Sequence, residues 1–359
     1  MSKAARIGLW ILAAGCTPRP PPMIDDHAHP GAHVPMEPQR AVTLHTVAEL
    51  TTGYGRRLAF APDGARWASA ITGAAHLWRA TEPAGDAVAS SATTDRLRFS
   101  RDGARLLLAP YIYDLARGAW LAQAPLRDKL GPSTSEPGAF GLVASAWAPD
   151  GEDLVVSTSF GPHGNGGGIP GPRERVLVLR GPERALVDTL YEGDREMRRV
   201  AIDDHFVAMA GRDVAIWSRA ERRRVADLPG HAVTVTELAF SPDGRKLASL
   251  DGRGVLLVWD TAHWQAPPVR IQTSPEAALA VAFHPGRPLI ATGGYDGIVR
   301  LWSLAAGEAP VFATASLGGW IEALAFDPSG TRLLAAANAD PARIVMYELA
   351  EASPAGAGR

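Results

Sequence analysis

Cysteine is almost missing from this chain. Its 359 residues hold a single one, Cys16, so neither an internal disulfide nor a cysteine-built zinc site can form. Aromatic residues are sparse at 7%, which leaves much of the core filling to the abundant alanine. Charge of either sign is nearly cancelled, at a formal −2. A balance that even gives no broad attraction to nucleic acid or acidic lipid, and nucleic acid is not expected as a partner. The apolar run at residues 7–15, IGLWILAAG, is too short to cross a bilayer as a helix. Familiar catalytic signatures are missing too: there is no HExxH, no P-loop and no EF-hand loop. Gly166, Gly168 and Gly171 do spell GxGxxG, but Pro170 and Pro172 precede the strand-like ERVLVLR. A phosphate cradle needs a helix start at that point, so the segment reads as a loop inserted in a strand-rich chain.

What is present is repetition. From Gly230 to Asp260 three short apolar runs, TELAF, KLASL and VLLVW, are each bounded by Gly, Asp or Pro. Runs so brief, punctuated so regularly, read as strands joined by tight turns. The first run and its turn recur as LAFAPDG, LRFSRDG, SAWAPDG and LAFDPSG, with VAFHPG and VAIDD as variants. Aligned on one position, the seven copies carry Phe60, Phe99, Trp147, Ile202, Phe240, Phe283 and Phe326. The third run recurs as well, around Trp78, Tyr113, Leu179, Trp217, Trp259, Trp302 and Tyr347. Phe240, Phe283 and Phe326 stand 43 residues apart, a period that signals one supersecondary unit per repeat.

Gly230-His231 at the start and Trp259-Asp260 at the end make this unit resemble a WD40 repeat, one four-stranded propeller blade. The resemblance covers residues 41–349 and implies an all-β, seven-bladed β-propeller of four-stranded blades. The last repeat supplies only three strands, IEALAF, RLLAAA and ARIVMYEL. The strand-like AVTLHTV at 41–47 is expected to complete it and close the ring. The resemblance also implies a buried structural network in each blade. In blade five His231, Ser249 and Trp259 match it, with Arg253 at the place of the expected turn aspartate and Asp251 two residues early. In blade six Thr292, Asp296 and Trp302 match, and Ser274 replaces the histidine. No nucleophile elbow surrounds any serine, so these residues do not read as a catalytic triad.

Function is then sought on a loop face. In a propeller the loops between second and third strands, and those between blades, share one face. Tyr54, Tyr295 and Trp320 fall on such loops in blades one, six and seven, which are neighbours once the ring closes. Exposed aromatics bury a large area at little entropic cost, so the three are candidate anchors for a protein or peptide partner. His163 and Asn165, on the inserted loop of blade three, project from the same face. The expected role is a non-enzymatic, monomeric binding scaffold without a cofactor. Two alternatives stay open: a metal-dependent hydrolase or lyase using the propeller channel, and a TolB-like periplasmic propeller.

The N-terminus adds an address. Lys3 and Arg6 precede the short apolar run, and Leu12-Ala13-Ala14-Gly15-Cys16 resembles a bacterial lipobox. That resemblance implies a lipoprotein signal peptide over 1–15, a lipidated Cys16 attached to the membrane, and a place on the bacterial outer membrane, periplasmic side or cell surface. Residues 16–40 contain seven prolines and read as an extended tether. Asp25, Asp26, His27, His29 and His33 lie within it, but a linker offers nothing to orient metal ligands. The tail at 350–359 is expected to be disordered.

Overall fold

The computed structural model describes residues 42–51, 57–71, 74–79, 85–89, 97–108, 110–121, 140–160, 174–193, 195, 197–305 and 310–351. The chain divides into two units, 1–39 and 40–359. Cys16, the signal segment, the whole tether and the inserted loop of blade three lie outside the described residues.

Within residues 40–359 the described strands form seven antiparallel sheets of four strands each. Six of the blades take their strands in chain order, spanning 57–89, 97–120, 140–193, 199–228, 235–272 and 278–313. In the seventh, the strands Trp320–Phe326, Arg332–Asn338 and Arg343–Glu351 are joined on the outside by Val42–Thr51. Pairing runs from Val42 opposite Glu351 to Thr51 opposite Arg343. The protein is therefore an all-β, seven-bladed propeller. Its first strand closes the last blade, and an edge that would otherwise stand open is covered. That strand runs four residues past the expected Val47, and the last strand continues to Glu351, beyond the expected boundary at 349.

The turn after each first strand explains why the repeats persist. In blade five the Ser241 hydroxyl donates to Asp243 Oδ1 at 2.6 Å and accepts from the Lys246 amide at 2.9 Å, while the Arg245 amide donates to Asp243. These bonds satisfy backbone donors that no strand reaches. The variants solve the problem differently. In blade four Asp203 Oδ1 accepts from the amides of His205 and Phe206; in blade six His284 Nδ1 accepts from those of Gly286 and Arg287.

The core lies between the blades. Leu250, Leu256 and Val258 of blade five pack on Val281, Phe283 and Trp302 of blade six, all buried. Alanine dominates the tight faces, as at Ala335, Ala336 and Ala337 in blade seven. First strands contact those of neighbouring blades and so line the centre of the ring. In blades three, five, six and seven each first strand carries a β-bulge at the same place, at Val143, Thr236, Leu279 and Glu322. An unpaired residue there re-aims its side chain at the strand's start.

Candidate functional site: the loop face of blades six and seven

Blade five contains a chain of buried polar groups. Trp259 Nε1 donates to Ser249 Oγ at 3.0 Å, Ser249 Oγ stands 2.7 Å from His231 Nε2, and His231 Nδ1 stands 3.1 Å from Asp251 Oδ2. A carboxylate only accepts, so Nδ1 carries the proton and Nε2 accepts from the serine hydroxyl. Burial lowers the imidazole pKa despite the carboxylate beside it, which keeps the ring neutral. Asp251 also accepts from the amides of Arg253 and Val255. The aspartate two residues early is thus the one that completes the network, with Arg253 supplying only backbone. Ser249 and Asp251 are wholly buried, so this serine–histidine–aspartate row meets no substrate. It fastens the blade.

Blade six divides the same parts into two sets. Trp302 Nε1 donates to Thr292 Oγ1 at 2.8 Å; Ser274 Oγ and Arg300 Nη1 donate to Asp296 Oδ2 at 3.1 and 2.6 Å. The serine that replaces the histidine holds the turn aspartate but is too short to link it onward. A third pair, Trp78 to Ser69 at 2.9 Å in blade one, was missed in the sequence, although a serine nine residues before the tryptophan signalled it. Blade four has Met209 at the equivalent place, and Trp217 Nε1 has no hydrogen-bond partner.

The turn of Asp296 also sets the face above it. Tyr295 lies in the turn between second and third strands of blade six, and Trp320 opens the first strand of blade seven. Antiparallel topology puts both on one face. Their rings meet edge to face, with centroids 5.4 Å apart and planes at 71°, and Tyr295 is 49% and Trp320 39% exposed. Two glycines permit the approach. A Cβ on Gly297, at φ +71°, would lie 2.7 Å from the Gly319 carbonyl oxygen, and one on Gly319 would lie 2.3 Å from that of Asn338. Only hydrogen fits at either place.

Trp320 is oriented by groups the sequence did not single out. Its Nε1 donates to Glu322 Oε1 at 3.0 Å, and Asn338 Nδ2 donates to the same oxygen at 3.3 Å. Glu322 is the bulged residue of that strand, which turns its carboxylate toward the ring two positions away. Of the remaining candidates, Tyr54, His163 and Asn165 lie outside the described residues. Among the described residues, then, the patch is a pair.

The opposite end of the channel is a different surface. A cavity of about 660 Å³ is lined by the ends of the first strands and the turns that follow them, including Phe60, Phe240 and Phe326. Its acids are dispersed. Asp203 is held by its own turn, and burial pushes its carboxyl pKa up despite the amides of Phe206 and His205; Asp243 is engaged by Ser241. Asp204 pairs with Arg101. Among the described residues no three His, Cys, Asp or Glu side chains gather as metal ligands would.

Comparison with known proteins agrees with the repeat reading. The family model for the WD domain, G-beta repeat, matches residues 222–260 and 268–303, so the chain contains WD40 repeats. Centriole proteome protein 16 of Chlamydomonas reinhardtii is 39% identical over 139 residues, 36% of this chain and 7% of that protein. Transducin beta-like protein 3 of Bos taurus is 32% identical over 112 residues, 29% of this chain and 14% of its own length. Anaphase-promoting complex subunit cdc20 of Dictyostelium discoideum is 29% identical over 116 residues, 30% and 23% respectively. The chain thus spans less than a quarter of the length of each of these relatives.

Proposed function

We propose that this protein is a non-enzymatic platform that holds a protein or peptide partner on the loop face of blades six and seven. The observation that carries the proposal is the exposed, preorganised pair Tyr295 and Trp320. Rings held by glycine-tight loops and an indole-to-carboxylate bond lose little freedom on binding. The WD40 repeats support the same reading, as does a Dictyostelium relative whose name makes it a subunit of a complex. Tyr54, His163 and Asn165 would extend the face around the ring.

The test is a crosslinking pull-down comparing wild type with a Tyr295→Ala, Trp320→Ala variant of verified fold. A partner captured by the first and lost from the second supports the platform and its face; equal capture removes the face from consideration.

The leader points to a lipid anchor. Lys3, Arg6, the short apolar run and Ala14-Gly15-Cys16 fit cleavage before a lipidated cysteine, which would attach the protein to the bacterial outer membrane. Cys16→Ser should abolish labelled-palmitate incorporation and release the protein from membranes; persistent labelling would sink this part of the proposal.

A further inference from the structure

We infer that the Tyr295–Trp320 corner accepts a cationic side chain, lysine or arginine, from a basic partner segment. The inference rests on the loop face being the binding surface and names the chemistry it selects. Two ring planes at 71° with centroids 5.4 Å apart form an angled corner in which one ring braces the other, and a cation seated there lies over the uncovered face of one ring and beside the other. Such a site attracts an ammonium or guanidinium through the ring quadrupoles.

The indole is the stronger wall, and its surroundings strengthen it. Trp320 Nε1 donates to a carboxylate oxygen, Glu322 Oε1, at 3.0 Å. A charge-assisted bond of that kind draws the N–H proton toward the acid and leaves the ring more electron-rich. Glu322 Oε1 receives only neutral donors, from Trp320 and Asn338, and Oε2 has no hydrogen-bond partner. No ion pair cancels this carboxylate among the described residues, so its charge stays on the corner.

Two further acids stand in the neighbouring loops. Tyr295 N donates to Ala277 O at 3.1 Å, which brings the exposed Glu276 alongside. Gly319 lies against Asn338 and Ala339, which brings the exposed Asp340 to the other side. Among the described cations nearby, Arg300 is largely buried and engaged by Asp296, and Arg343 is paired with Glu49. An apolar partner would leave these acids to be desolvated without compensation, whereas a basic one neutralises them. Charge and shape select the same occupant.

The test uses fluorescein-labelled (Gly-Lys)4 and its norleucine counterpart (Gly-Nle)4, which keeps the aliphatic stem and drops the ammonium. Binding to the full-length protein is followed by anisotropy at fixed salt. The lysine peptide should bind roughly five- to thirtyfold more tightly than the norleucine peptide. Trp320→Ala should abolish that preference. Glu322→Gln, which still accepts from the indole, should reduce it severalfold without changing the circular dichroism spectrum. Equal affinity for the two peptides, both lost with Trp320→Ala, would overturn the cation inference and leave an apolar platform standing. Lysine-peptide binding that is absent, or untouched by Tyr295→Ala and Trp320→Ala, overturns the inference. If the pull-down is also indifferent to both rings, the face itself falls with it.

Discussion

Ser249→Ala is the change that best measures what holds a blade together. The serine is wholly buried, and its hydroxyl is the one link between Trp259 Nε1 at 3.0 Å and His231 Nε2 at 2.7 Å. Removing it leaves a buried indole donor and a buried imidazole acceptor with no partner. Each orphan costs about 1–3 kcal/mol, so the variant should lose roughly 2–6 kcal/mol. Thr292→Val in blade six is the internal control. It exchanges the hydroxyl for a methyl group, leaving no void, and frees only Trp302 Nε1, so it should cost about half as much. Urea unfolding of the two variants and wild type, followed by circular dichroism, gives the comparison through the midpoints, provided the slopes agree. A Ser249→Ala loss below about 0.5 kcal/mol, within the range of an ordinary surface change, would refute the idea that the hydroxyl ties the blade. So would equal losses for Ser249→Ala and Thr292→Val, because the histidine arm would then contribute nothing.

Burial pushes both His231 and His284 below the ordinary histidine pKa of 6.5. The unfolded chain therefore takes up protons that the propeller refuses, so this stability is complete above about pH 6.5 and is lost as pH falls through the folded values; a melting temperature that stays flat from pH 7.5 to 5 would contradict it. Asp203 runs the other way, because burial raises its carboxyl above the usual 3.8 and ionisation at neutral pH costs folded-state stability. Asp203→Asn keeps an oxygen for the amides of His205 and Phe206 and should raise the urea midpoint at pH 7, whereas a lower midpoint would show the charge to be useful. Deleting residues 1–51 strips the partner strand from Arg343–Glu351 and should yield a less stable, self-associating propeller by light scattering, while deleting 1–40 should leave the melting temperature of the propeller within about 2 °C of wild type.

The architecture was legible because each repeat restates the same local chemistry. An aromatic residue, a Pro-Asp-Gly turn and an aromatic on the third strand mark a blade even where one mark is worn. Blade four shows how little suffices. It lacks the turn motif and has isoleucine where the other blades carry an aromatic, yet Asp203 caps its turn from the position next to Ile202. Closure could be expected by counting strands, since a sheet of three leaves an edge that something must cover. Its extent could not. Thr51 and Glu351 lie at the ends of a pairing set by neighbours almost the whole chain away.

The site was legible only as far as single residues announce themselves. Tyr295 and Trp320 stood out as large rings on loops, and topology alone placed them on one face. Their partners did not stand out, because Glu322 and Asn338 are ordinary polar residues in sequence. Glu322 reaches the indole because its strand bulges at that residue, and a bulge depends on how two strands register. Asp251 teaches the same lesson in the core. It closes the blade-five network from two residues before the expected turn position, because its other oxygen accepts from the turn amides of Arg253 and Val255. A carboxylate can serve a motif from a neighbouring position when the turn bends to meet it. A motif search that fixes spacing finds the tryptophan and misses the acid. The acid is what gives each tryptophan its setting: Asp251 orients the histidine that backs Trp259, and Glu322 holds Trp320 at the surface where a partner meets it.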